Sequence, residues 1–195
     1  MAFTITGYRM DFAARFEAGL SYSGFLDRFG TDEHRSRWAA VHDQVSLTGA
    51  QAELLSSFTR DMKVIVLAGT WCGDCVNQCP IFDRFATASA RINVRYFDRD
   101  DSADLATELS VCGGQRVPAI VFLSEDGHVC GRAGDRTLAK YRDMAATQLG
   151  AACPSGLGGA DQTLLDKVTQ EWLNEFERIQ LMLRLSGRLR KFHGD

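Results

Sequence analysis

Val64-Ile65-Val66-Leu67-Ala68, followed at once by Gly69 and then Thr70-Trp71-Cys72-Gly73-Asp74-Cys75, decides how this chain is read. The first five residues form a short, β-branched, uniformly apolar run, the pattern of a central strand covered on both faces. The six that end on Cys75 put two thiols where a strand hands over to a helix. With only two residues between them, these thiols can close into a disulfide and reopen without unfolding the domain.

Beyond the pair, Ile81, Phe82, Phe85 and Ala88 keep helical spacing to about Ala90, and Pro80 inside that pattern removes a backbone donor and should bend the helix. Val94-Arg95-Tyr96-Phe97 reads as the next strand. The polar run from Asp98 to Asp101 then turns into a helix expected from Ser102 to about Val111. Cys112-Gly113-Gly114-Gln115-Arg116 is a loop that delivers Val117-Pro118 to a strand over Ala119-Ile120-Val121-Phe122-Leu123. Glu125-Asp126-Gly127 is a hairpin turn into an antiparallel strand from His128 to Arg132, and a helix follows from about Arg136 to Leu149.

The flanks are helical. Phe12, Phe16 and Leu20 share one helix face, and Tyr22, Phe25, Leu26 and Phe29 form a stripe that Gly30 ends. Thr31 and Thr48 are candidate caps for helices carrying Trp38, Val41 and Val45, and Leu54, Leu55 and Phe58. So many large aromatics need a surface to bury them, and packing onto the domain is favoured over a partner groove. Pro154 to Gly159 has a linker composition. From Asp161 to about Lys191 one long helix is expected, with Leu165, Val168, Trp172, Phe176, Ile179 and Leu183 on one side. The expected organisation is a helical extension over residues 1–60, an α/β domain over 61–150, a linker over 151–160 and an amphipathic helix over 161–195.

Composition narrows the function. Of 195 residues, 45% are apolar, enough for a sizeable core, and the net charge of −3 with no basic patch beyond a short one at the C-terminus argues against nucleic acid. No run of eighteen apolar residues supports a membrane partner, and Arg9, Asp11, Arg15 and Glu17 interrupt the N-terminus where a signal peptide would be continuous. The expected location is the cytoplasm. There, six cysteines point to chemistry rather than to structural disulfides.

These residues resemble the thioredoxin superfamily. The resemblance rests on a strand followed by Trp71-Cys72-Gly73-Asp74-Cys75, Pro80 five positions after the second cysteine, and Val117-Pro118 opening a later hairpin strand ahead of a final helix. It covers about residues 61–150, close to half of the chain. It implies a thioredoxin-like fold, a central mixed sheet flanked by helices, to which this chain adds N-terminal helices and a long C-terminal one. It also implies thiol-disulfide exchange with a disulfide-containing protein substrate and an unidentified electron donor, with no cofactor or metal and with the reductase direction favoured. In such a cycle Cys72 is the nucleophile, its thiolate favoured by the helix N-terminus, and Cys75 resolves the mixed disulfide. Pro118 is expected to be cis beside the pair. Val117 is expected to offer backbone hydrogen bonds to an extended substrate, with Trp71, Gly73 and Asp74 supporting the motif.

Two departures from thioredoxin stand out. Asp74 replaces a proline and would set a carboxylate between the thiols, which disfavours the thiolate and suggests a more reducing pair. Val66 occupies the position of a buried acid that serves as proton acceptor. Two other classes of function remain: a thioredoxin-fold binding module or scaffold, with the C-terminal helix as a candidate homodimer contact, and a metal or Fe–S protein. The latter would use Cys79 in a Cys-x-x-Cys-x-x-x-Cys set, but it needs a fourth ligand that only Cys112, Cys130 or Cys153 could bring. Burial of Cys79 as a small hydrophobe is favoured. His34, His42, His128 and His193 make no ligand spacing.

Overall fold

The structure is a computed structural model that describes residues 10–149 and 163–194. The linker expected over 151–160, with Cys153, lies outside the described residues. In chain order the elements are α1 (Phe12–Glu17), α2 (Tyr22–Phe29), α3 (Asp32–Gln44), α4 (Gly49–Ser56), β1 (Met62–Ala68), α5 (Gly73–Ala88), β2 (Ile92–Asp98) and α6 (Ala103–Glu108). They continue with β3 (Ala119–Leu123), β4 (Val129–Ala133), α7 (Leu138–Leu149), α8 (Leu164–Leu185) and α9 (Gly187–His193).

The sheet is mixed, with strand order β2-β1-β3-β4. β1 runs parallel to β2, from Met62 opposite Ile92 to Ala68 opposite Asp98, and antiparallel to β3; β3 and β4 form the hairpin. Apart from half-buried Lys63, every residue of β1 is buried, and because successive side chains point to opposite faces, both faces of the strand are covered. That explains the uninterrupted apolar run. In the hairpin turn Gly127 adopts φ +85°, and a Cβ there would also lie 2.5 Å from the Ala13 methyl group, so α1 closes directly over the turn.

The flanking helices share the core with the sheet. Phe12, Phe16, Phe25, Trp38 and Leu55 belong to one buried cluster with β1, α5, β2 and α8. Each such side chain contributes about 1.5–3 kcal/mol when fully buried. The helices start where polar caps stand: Asp11, Ser21, Thr31 and Thr48 each accept from a backbone N–H three residues on, with reciprocal capping boxes at Thr31 and Thr48. Between α1 and α2, Leu20 exchanges backbone bonds of 3.0 and 2.8 Å with Tyr96, covering part of the outer edge of β2.

On α8, Phe176 meets Phe82, Phe85 and Phe122 at ring separations of 5.1–5.8 Å, and Trp172 stands edge-on to Phe82 at 4.8 Å. Gln180, 1% exposed, brackets Arg60 by accepting its N–H at 2.8 Å and donating to its carbonyl at 2.9 Å, which fixes α8 to the entrance of β1. The long C-terminal helix is interrupted. Ser186 ends α8 and caps α9 by accepting from the Leu189 N–H, a break that the continuing apolar spacing conceals. Among the described residues no helix is long and apolar enough to cross a membrane.

Candidate active site

The cysteine pair sits where β1 gives way to α5. Cys72 is the N-cap of α5, with extended backbone and no side-chain cap of its own, so the first N–H groups of the helix are left facing its sulfur. The sulfur is half-buried and donates to the Val117 carbonyl oxygen at 3.5 Å. The Val117–Pro118 bond is cis, and both residues are buried. The two segments that the sequence placed 45 positions apart therefore meet at the Cys72 thiol.

Cys75 lies one turn deeper and is fully buried; its sulfur accepts from the Gly69 N–H at 3.5 Å. Burial pushes the Cys75 thiol well up. Cys72 is also held above the usual thiol range, first by its hydrogen bond with Cys75 and then by burial, while the N–H groups of Cys75 and Asp74 act in the opposite direction. The two thiols titrate as a pair. A single negative charge is cheapest on Cys72, the half-exposed member, where the helix N–H groups can donate to it. A second ionisation would place two thiolates side by side.

Beneath the pair there is no acid at position 66. Val66 is fully buried between Tyr96 of β2 and Ile120 of β3. Nor does Asp74 stand as a free carboxylate between the thiols. Its Oδ2 is 2.6 Å from Arg136 Nη2, with the two side chains 17% and 21% exposed. This corrects the electrostatic expectation for Asp74, because the carboxylate is compensated and the residue bears on Cys72 through its backbone N–H. Arg136 also reaches Asp135 at 3.2 Å, and Asp135 accepts from Arg116 and Tyr141 as well. Burial alone would raise the Asp135 carboxyl, but the bonds from Tyr141 and Arg116 outweigh it and hold the group below the ordinary range.

With this geometry in place, comparison with known proteins is direct. A family profile described as Thioredoxin matches residues 19–147, about two thirds of the chain. The chain belongs to the thioredoxin family. That membership takes in α2–α4 as well as the sheet, and it supports a thioredoxin-like redox role. Among solved structures, a protein of unknown function from Pseudomonas aeruginosa superposes with a TM-score of 0.69 at 17% identity, covering 88% of this chain and 97% of its own. An HIV epitope-scaffold superposes at 0.58 with 18% identity, covering 95% and 99%. Both show the fold alone. The thioredoxin of Fasciola hepatica aligns over 49% of this chain and 88% of its own, at 23% identity and a TM-score of 0.35. No curated protein matches the chain.

In this thioredoxin-family chain the residues expected to support the cysteine pair have distinct settings. Trp71 is 42% exposed, and the Arg99 guanidinium lies over its ring at 4.4 Å. The ring covers Gly69 so closely that a Cβ there would come within 2.7 Å of it. Gly73 is exposed with open space around it, which leaves the approach to Cys72 clear.

Several residues that bear on the site carry no local sequence signal. Buried Gln78 donates to the carbonyls of Asp74 and Asp135, at 3.2 and 2.9 Å, and accepts from Trp172 Nε1 at 2.9 Å, so α8 is wired to the first turn of α5. Thr70 is held by Trp38 and by the end of α2. Cys79 is fully buried on the face of Cys75, and its carbonyl accepts from the Tyr96 hydroxyl at 3.1 Å. Cys112 is exposed and Cys130 half-buried. Among the described residues no three or more His, Cys, Asp or Glu side chains gather in a way that could hold a metal. Of the histidines, His42 pairs with Asp83 at 2.9 Å and His193 with Glu125 at 3.0 Å, while His34 closes the α3 capping box.

Proposed function

We propose that this protein is a cytoplasmic thiol-disulfide oxidoreductase that reduces disulfides of protein partners through a Cys72–Cys75 dithiol/disulfide cycle. The observation that carries the reading is the half-buried Cys72 sulfur at the N-terminus of α5, 3.5 Å from the carbonyl preceding cis-Pro118, with Cys75 buried one turn below. A half-exposed thiol at a helix N-terminus is placed to attack, and a shielded one beside it is placed to resolve.

The cycle balances as follows. The Cys72 thiolate attacks one sulfur of the client disulfide, forming a mixed disulfide and releasing the other client sulfur as a thiolate, which takes up a proton. Cys75 then gives up its proton and attacks the Cys72 sulfur. The mixed bond breaks, and the second client sulfur leaves as a thiolate and is protonated. Two electrons and two protons have passed to the client, and an electron donor outside this chain must return them. With Val66 in place of an acid and Asp74 occupied by Arg136, the departing client thiolate takes up the Cys75 proton in this reading.

Insulin reduction with dithiothreitol as donor tests the reading. Wild type should accelerate precipitation of the insulin B chain, Cys72→Ser should abolish the acceleration, and Cys75→Ser should accumulate the mixed disulfide. Wild type as inert as Cys72→Ser would overturn it.

A further inference from the structure

The turn that carries the cysteine pair is held from outside the sheet domain. Gly69 is its hub: the Gly69 carbonyl accepts from the Cys72 N–H at 3.0 Å, and the Gly69 N–H donates to the Cys75 sulfur at 3.5 Å. Thr70 and Trp71 are the central residues of this turn. Thr70, 2% exposed, is fastened at both ends. Its carbonyl accepts from Trp38 Nε1 at 2.9 Å; its hydroxyl donates to the Phe29 carbonyl at 3.0 Å and lies 3.2 Å from His34 Nδ1. Trp38 itself is fully buried, with the rings of Tyr22 and Phe25 packed at 5.8 Å. All of these partners come from α2, α3 and the turn between them.

A buried indole N–H that finds its acceptor in the redox loop is more than packing. Its bond fixes the orientation of the peptide unit between Thr70 and Trp71, and that unit leads directly into the Cys72 N–H and the first turn of α5. The helix N–H groups can favour a thiolate only if Cys72 keeps its N-cap geometry, and an unpaired buried carbonyl costs about 1–3 kcal/mol, which the turn would relieve by shifting.

We propose that Trp38 is a positioning residue of the redox centre, so that the N-terminal helices set the ionisation of Cys72. The inference deepens the reading of Cys72 as the nucleophile and rests on it, but its test reads the thiol directly and needs no client.

The measurement is the pH profile of iodoacetamide alkylation at Cys72, followed on its own peptide by mass spectrometry in wild type, Trp38→Phe and Phe176→Leu. Trp38→Phe keeps an aromatic ring but removes the N–H donor together with part of the ring volume, and it should raise the apparent pKa of Cys72 by about half a unit or more. Phe176→Leu removes packing in the same core away from the loop, and should lower the melting temperature with the profile unmoved. If Trp38→Phe lowers stability and leaves the profile where Phe176→Leu leaves it, Trp38 is core filling and the proposal fails. Should Trp38→Phe not fold, benzothienylalanine at position 38, which fills the indole volume with sulfur in place of the N–H, decides: it must move the profile, and a profile equal to that of wild type overturns the proposal. Loss of insulin reduction with these shifts intact would count against the functional reading and leave the positioning role standing.

Discussion

Replacing Arg136 by methionine isolates what the Asp74 carboxylate does when it is not compensated. Arg136 Nη2 and Asp74 Oδ2 are 2.6 Å apart and only about a fifth exposed, while Asp135, the second acid on Arg136, keeps Arg116 and Tyr141 when Arg136 is gone. Only Asp74 is left without its countercharge. A unit charge on the order of 8 Å from a thiolate, at an effective dielectric of about 20–40, changes its energy by about 1–2 kcal/mol. That corresponds to about one pKa unit upward for Cys72.

The consequence for rate is smaller than for ionisation. A tenfold loss of thiolate at pH 7 is offset by the greater nucleophilicity of a more basic sulfur, with a Brønsted coefficient of about 0.4–0.5, so alkylation at pH 7 should slow about threefold. Above the shifted pKa the plateau rate should rise about threefold. The mirror variant, Asp74→Asn, leaves Arg136 with Asp135 alone, an acid already shared with Arg116 and Tyr141, and should move the apparent pKa of Cys72 down. The reduction potential at pH 7 is a poorer probe, because with both thiols protonated it hardly senses a charge that acts on the thiolate. Stopped alkylation across pH 5–11, resolved at the Cys72 peptide, is the assay. If the two variants shift the pKa in the same direction, or Arg136→Met leaves it unmoved, the ion pair does not act on Cys72 through charge.

Two further outcomes follow from the rest of the fold. Cys112 adopts φ +51° ahead of Gly113 at φ +72°, in the tight turn closed by the Val111 and Gly114 backbone bonds; Cys112→Gly should therefore stabilise the protein by about 0.5–1 kcal/mol in urea unfolding, and a loss would refute strain at that residue. Asp126, bonded to Arg188 and 3.8 Å from His128, ties the hairpin turn to α9, and the Arg188 bond holds its carboxyl far below the ordinary range. A depressed carboxylate contributes stability that is present above its unfolded value of about 4 and is lost as pH falls through the folded one. The difference in urea midpoint between wild type and Asp126→Asn should be larger at pH 6 than at pH 3, and an equal gap at both would show that the pair adds nothing.

What the sequence reveals depends on how far apart the cooperating residues lie. The β-branched run of β1, the Cys72–Cys75 spacing, the Gly127 turn and the caps of α3 and α4 are local signals, and the thioredoxin-like architecture follows from them. The break at Ser186 is local too, a Ser-Gly start for α9, but it is masked because the apolar stripe continues through Leu183 to Leu189. Contacts across the chain carry no comparable signal. Gln78 with Trp172 lies 94 positions apart and Thr70 with Trp38 lies 32 apart, and neither pair is announced by periodicity.

Asp74 shows why this matters for function. Its identity and its place between two thiols were legible, and from them alone the physical inference is repulsion and a more reducing pair. The sign of its effect, however, belongs to the neighbourhood. The carboxylate is tied to Arg136, from the segment between β4 and α7, and the backbone N–H of Asp74, with that of Cys75, favours charge on Cys72. A motif therefore specifies which atoms react, and the long-range contacts specify how readily. In this chain those contacts come from Arg136 ahead of α7, from Trp172 through Gln78, and from Trp38 through Thr70. Helices that precede and follow the thioredoxin-like sheet in the chain, α3 and α8, thus converge with Arg136 on the cysteine turn and the first turn of α5.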